Sequence, residues 1–338
     1  MLGFWIIIFI ISVILLIKSS DWLVESSEKI GIALKISPFI IGVTIVAIGT
    51  SFPELISSIA GTLKGVTEIV AANVIGSNVA NILLIVGLSA VVARTLIMRR
   101  SLINLDAPLL ASVTGLFLFI IWDKKIVFGE GVVLILSFII YSFYTIFQER
   151  DEIISPELVE ILPDETEIKV LPSRVERRRK AIKEEAPPEK LELKTFFFLI
   201  LGIVSLPVAA NYTVESLVKI SEILKISPSL ISITALAIGT SLPELIVSVR
   251  AAARKKYEVA LGNIFGSNVF NILLVSGVPA LIKPLVVDKI TFEIGSFFLI
   301  ISTLLFVISG ISRKIHIWEG MMYLLIYFLF VIKLYGVF

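Results

Sequence analysis

The chain of 338 residues is 57% hydrophobic, carries a net charge of +2 and contains no cysteine, and its mean hydropathy is +0.99. A soluble fold of this size cannot hide so much apolar surface, so lipid must cover much of it. Disulfides and thiolate metal centres are excluded outright.

Apolar runs near 20 residues recur along the chain, long enough to cross a hydrocarbon core of about 30 Å. The first begins at Leu2 with no basic residue before it and no small-residue cleavage site after it, and reads as a retained helix. Ten spans are expected, at approximately 2–24, 38–62, 67–93, 105–122, 127–148, 195–217, 228–252, 257–281, 290–311 and 316–337. Between the fifth and sixth, residues 149–193 hold 22 of the 58 Asp, Glu, Lys and Arg residues together with five prolines. That composition predicts a polar linker, or a basic surface helix over Arg174–Lys183, dividing a repeat 1–148 from a repeat 194–338. The single histidine, His316, lies beside Arg313 and Lys314 and reads as a solvated surface residue.

The chain also repeats itself. Residues 34–54, LKISPFIIGVTIVAIGTSFPE, and 224–244, LKISPSLISITALAIGTSLPE, are identical at 14 of 21 positions at a constant offset of 190. Each half holds five spans, an odd number, so the second half must enter the membrane from the opposite side. The expected fold is therefore an all-α polytopic membrane protein, ten transmembrane helices arranged as two inverted five-helix repeats. Arg94, Arg99, Arg100, Arg250, Arg254, Lys255, Lys256, Arg313 and Lys314 gather in loops on one side. That side should be cytoplasmic, with the linker there and both termini outside.

The chemistry concentrates in the duplicated segment. A glutamate at the centre of a spanning helix costs about 2.5–3.5 kcal/mol or more, and here Glu54 and Glu244 occupy matching positions. Thr50 and Glu54 lie four apart and share a helix face, as do Thr240 and Glu244. Gly49 and Pro53 flank Thr50 and Ser51, and Gly239 and Pro243 flank Thr240 and Ser241; a helix interrupted there would free carbonyl oxygens. Carboxylate, hydroxyl and carbonyl oxygens together suit a hard cation such as Na⁺ or Ca²⁺. In the following span Asn73, Ser77 and Asn81 recur every fourth residue, and Asn263, Ser267 and Asn271 repeat them, as ligands, as helix-to-helix packing, or as both. Asp21 and Glu293 fall near span ends and read as interfacial head groups.

At GTSFPE (49–54) and GTSLPE (239–244), with NVIGSN (73–78) and GNIFGSN (262–268), the chain resembles the sodium/calcium exchanger branch of the cation/calcium antiporter superfamily, as a microbial-type member. The resemblance implies that Glu54 and Glu244 bind Ca²⁺ and, alternately, Na⁺. It implies further oxygens from Thr50, Ser51, Thr240, Ser241 and the carbonyls of Ala47 and Ala237. Ser77 and Ser267 would complete flanking Na⁺ sites, with Asn81 and Asn271 near the centre. In the family, the first and sixth helices slide across the remaining bundle. The potassium-dependent branch carries an aspartate at the position of Asn271, so asparagine there argues against K⁺ co-transport.

The expected activity is Ca²⁺ extrusion driven by the Na⁺ gradient. H⁺/Ca²⁺ or other divalent cation antiport is the nearest alternative, and a passive cation channel is the alternative of a different class. An enzyme is not expected: Ser51 and Ser77 have no histidine nearby in the repeats and no GxSxG elbow. The expected partners are the bilayer and the transported ions, with no cofactor, no nucleic acid, and function as a monomer.

Overall fold

The computed structural model describes residues 2–34, 36–97, 106–154, 191–224 and 241–334. Within them the chain forms helices α1 (Leu2–Leu34), α2 (Pro38–Leu63), α3 (Glu68–Ala93), α4 (Ala107–Ile120), α5 (Phe128–Ile154), α6 (Leu193–Ile223), α7 (Leu242–Ala253), α8 (Tyr257–Ile282), α9 (Thr291–Ile311) and α10 (Ile317–Leu334). Eight of these are long and apolar enough to cross a membrane; α4 and the described part of α7 are shorter. Residues 155–190, most of the expected linker, lie outside the described residues, as does the N-terminal part of the span expected at 228–252.

Several boundaries move. The first span continues to Leu34, past its expected end at 24, because Asp21, Glu25 and Glu28, which interrupt its hydropathy, find basic partners on α7 and in the α7–α8 loop. The expected interruption at Pro53 is also absent: α2 runs through it, and the irregularity is a π-helical stretch at Gly42–Val46, nearer the start of the helix. Further π-helical stretches occupy Ala80–Val86 in α3 and Asn271–Val275 in α8. Single π turns widen a helix locally and often mark functional positions.

Local signals explain the termini. Ser37 caps α2, its Oγ accepting the Ile40 N–H at 3.3 Å, with Pro38 in the first turn. At the other end Gly65 adopts φ +83°, and the Val66 and Gly65 amides return to Gly61 and Thr62. The same closure recurs at the matching place in the second repeat, where the Lys256 and Lys255 amides return to Ala251 and Ala252 with Lys255 at φ 61°.

Two short ladders define the symmetry. Strand β1 (Thr95–Ile97) pairs antiparallel with β4 (Lys314–His316), and β2 (Lys125–Ile126) pairs with β3 (Leu285–Val286). The repeat offset carries Thr95 onto Leu285 and, in the other direction, His316 onto Ile126; Thr95 faces His316, and Leu285 faces Ile126. The two ladders are thus copies of each other in register. Strands β3 and β4 flank α9 at its two ends, so the two ladders lie at opposite ends of that helix and the rotation that exchanges the repeats also exchanges the two faces of the bundle. The repeats are inverted.

The interior is built by α2, α3 and α8. Helices α2 and α8 touch backbone to backbone: a Cβ on Gly42 would lie 2.7 Å from the Val259 carbonyl oxygen and 2.9 Å from the Gly262 Cα. The glutamate-bearing helix of the first repeat therefore lies against the Ser/Asn-bearing helix of the second. Helices α1 and α6 run antiparallel to each other along one flank. Thr213 Oγ1 donates to Ser12 Oγ at 3.0 Å, and the Ser19 and Ser205 hydroxyls lie 2.7 Å apart.

Candidate cation site between the repeats

Along α2, the residues Thr50, Glu54, Ser58 and Thr62 repeat every fourth position, and all four are buried together with Ser51. Ser241, the residue before the described start of α7, is buried in the same way, as are Glu244 and Ser248 within that helix. The two glutamates are 3% and 1% exposed, so neither snorkels to water. They lie within Coulombic range of one another. No basic side chain is paired with either among the described residues. Arg250, the nearest base to Glu244 in sequence, is instead bound to Asp21. That pairing also corrects the reading of Asp21 as a simple interfacial head group. Glu293 does sit exposed, 3.9 Å from Lys289, and His316 is exposed with Nδ1 3.4 Å from Thr95 Oγ1.

Hydrogen bonds knit the site across the repeats. Ser51 Oγ donates to Glu244 Oε1 at 2.9 Å. Thr50 Oγ1 reaches Asn263 Oδ1 at 3.2 Å, Ser267 Oγ at 3.4 Å and its own helix's Ala47 carbonyl at 3.2 Å. Asn263 Nδ2 donates to Ser248 Oγ at 2.9 Å, and its counterpart Asn73 Nδ2 donates to Ser58 Oγ at 3.4 Å. Ser77 Oγ donates to Asn73 Oδ1, also at 3.4 Å. Asn73 and Asn263 are thereby occupied in holding helices together. Ser58 and Ser248, which the sequence reading does not include, occupy equivalent positions of the two repeats, each four beyond its glutamate. That shared spacing is the signal that could have found them.

Other polar atoms in the same region have no hydrogen-bond partner among the described residues: both oxygens of Glu54, Oε2 of Glu244, Oγ of Ser241 and both amide atoms of Asn81 and Asn271. Buried carboxylate and amide groups without partners are costly, by about 1–3 kcal/mol each and more when charged. Most of these atoms are oxygens, the set is symmetry-related and it includes both carboxylates, a donor chemistry that suits a hard cation. The residues expected to line the site are buried in the bundle interior wherever they are described; Thr240 and Ala237 lie outside the described residues.

Residues 4–147 and 194–336 match the family model described as sodium/calcium exchanger protein. The chain belongs to the sodium/calcium exchanger family. It is 32% identical to the sodium/calcium exchanger MaX1 of Methanosarcina acetivorans over 97% of this chain and 98% of that one. It is also 32% identical to the putative antiporter CaxA of Alkalimonas amylolytica, over 92% of each chain. A solved structure of the sodium-calcium exchanger NCX_Mj, soaked with zero Na⁺ and Ca²⁺, superposes with a TM-score of 0.77 at 30% identity, covering 99% of this chain and 100% of that one.

This exchanger is accordingly a multi-pass membrane protein and a cation/Ca²⁺ antiporter of the microbial type. The family is one of transporters rather than enzymes. Its cations are cargo.

Proposed function

We propose that the protein exchanges Na⁺ for Ca²⁺ through a single site shared by Glu54 and Glu244, extruding Ca²⁺ on the inward Na⁺ gradient. Supporting this is one observation above all: two buried carboxylates at equivalent positions of inverted repeats lie within Coulombic range of each other, surrounded by oxygens that have no partner among the described residues. One Ca²⁺ neutralises a pair of ionised glutamates, whereas Na⁺ must do so in multiples, so the two cargoes exclude each other. An uncompensated pair of charges crosses a low-dielectric barrier only at great cost, which couples one flux to the other.

In this reading Thr50, Ser51, Thr240, Ser241 and the carbonyls of Ala47 and Ala237 complete the coordination. Ser77 and Ser267 serve flanking Na⁺ positions, and Asn81 and Asn271 the centre. The arginine-rich loops face the cytoplasm with the linker, both termini face outward, and one chain suffices for transport.

The test is ⁴⁵Ca²⁺ uptake into proteoliposomes loaded in turn with Na⁺, K⁺ or a proton gradient. Only the Na⁺ gradient should drive accumulation, and Glu54→Gln or Glu244→Gln should abolish it in a protein that still purifies as a monodisperse species. Near-normal exchange by either variant would reject the assignment. Uptake driven by protons alone would move the protein to H⁺/Ca²⁺ antiport.

A further inference from the structure

The two flanking helices differ in the charges they carry at equivalent positions. Helices α1 and α6 pack on each other more extensively than on any other element. Their backbones approach closely: a Cβ on Gly202 would lie 2.9 Å from the Leu23 nitrogen and 3.0 Å from the Ser19 oxygen. Toward the bundle the pair packs more sparsely. Alternating access in inverted-repeat transporters is a rocking of one body against another about a fixed site, and among the described residues this helix pair, one member from each repeat, is tied more closely within itself than to the remainder.

It is tied at one end by charge. Arg250 grips Asp21 through two nitrogens, at 3.0 and 2.8 Å from Nη2 and 3.2 Å from Nε. Arg254 reaches Asp21 at 2.9 Å and Glu25 at 2.8 Å, and Lys256 binds Glu28. All three acids lie on α1; all three bases lie on α7 or in the loop after it. The repeat offset places the equivalents at the opposite face: Asn211, Glu215 and Val218 on α6, and Ala60, Lys64 and Val66 at the end of α2. Two of the three acids and two of the three bases are missing there. Among the described residues no ion pair joins those two segments.

We propose that the Asp21, Glu25, Glu28 and Arg250, Arg254, Lys256 cluster is a one-sided latch, holding the α1–α6 pair shut against the bundle at the face of the α7–α8 loop. In a symmetric frame the two end states would be nearly isoenergetic. The latch lowers only the state closed at its own face. Its six side chains remain partly solvated, from 15% exposed for Asp21 to 53% for Glu25. The bias is therefore modest and screenable by salt, which leaves the latch able to open in each cycle.

The absence of cysteine allows a direct test. Ser27 is fully buried, lies between Glu25 and Glu28 in sequence, and its Oγ has no hydrogen-bond partner among the described residues. Ser216 is buried on α6 toward the opposite end of the pair. In the full chain in nanodiscs, where both faces are open to reagent, the maleimide labelling rate of Ser27→Cys reads opening at the latch. Neutralising the bases together (Arg250→Gln, Arg254→Gln, Lys256→Gln) should speed that labelling on the order of 5-fold, while Ser216→Cys labels no faster. With the bases intact, about 1 M KCl should also speed Ser27→Cys labelling by screening the pairs, an arm that survives if the neutralised variant fails to fold. Unchanged Ser27→Cys labelling in high salt would overturn the latch. So would equal acceleration at both positions, which reports general loosening. The readout is helix position, so it stands whether or not Na⁺ drives the flux.

Discussion

Ser51 Oγ donates to Glu244 Oε1 at 2.9 Å, a bond that leaves the first repeat and ends on the carboxylate of the second. The first half therefore contributes to the electrostatics of the second half's acid, and in the proposed reading neither half holds a complete site. Replacing Ser51 by alanine removes this donor while leaving the carboxylate buried. A hydrogen bond to a charged group contributes about 1.5–3 kcal/mol. Ser51→Ala should accordingly raise the Ca²⁺ concentration for half-maximal uptake by about 10-fold or more, without loss of folded protein.

Ligand linkage gives a check that needs no transport. A cation that binds only the folded state stabilises it by about 2.7 kcal/mol at 100 times its dissociation constant. Saturating Ca²⁺ should raise the Tm of the purified protein, and the rise should vanish in the Glu54→Gln, Glu244→Gln double variant. A full Ca²⁺ shift in that variant would place the binding elsewhere.

Asn271 sets the charge count. Both of its amide atoms are buried without partners among the described residues, as are those of Asn81. Asn271→Asp adds a third carboxylate, so one Ca²⁺ no longer neutralises the cavity and a further monovalent cation is needed. Exchange by this variant should become K⁺-stimulated, whereas wild-type exchange should be indifferent to K⁺, as flux with and without K⁺ on the Ca²⁺ side will show.

At the water-facing start of α9, Asp288 Oδ1 accepts the Thr291 N–H at 3.0 Å. Partial burial raises the Asp288 pKa, but the Thr291 side-chain and backbone hydrogen bonds outweigh it and hold the carboxyl below its ordinary value. A depressed acid stabilises the fold above its unfolded pKa, about 3.9, and that stability is lost as pH falls through the lower, folded value. Asp288→Ala should lower the Tm at pH 7, by an amount in keeping with a lost cap of about 0.5–2 kcal/mol. The gap between variant and wild type should narrow below about pH 4.

The duplication carries most of what the sequence makes legible. Glu54 and Glu244 stand out because lipid penalises an ionised side chain and because the same penalty recurs at the matching position of the second half. The helical segments follow from hydropathy for a related reason: every backbone polar group in lipid must be satisfied within the chain. Where hydropathy is interrupted, the sequence misleads. Asp21, Glu25 and Glu28 look like a polar exit that would end α1 at 24, yet their partners lie on the far side of the chain, on and after α7. Pro53 suggests an interruption that the chain instead places at Gly42–Val46, since a π turn has no composition of its own.

By itself the sequence determined the medium, the duplication and the chemical kind of ligand, since composition and side-chain charge are local properties. Only the tertiary structure decided which oxygens are already engaged, as Asn73 and Asn263 are with Ser58 and Ser248, and which have no partner among the described residues, as those of Glu54 have none. It alone also set Arg250 on Asp21 rather than on Glu244. Partner choice depends on distance across the bundle, and a linear pattern holds no record of that distance.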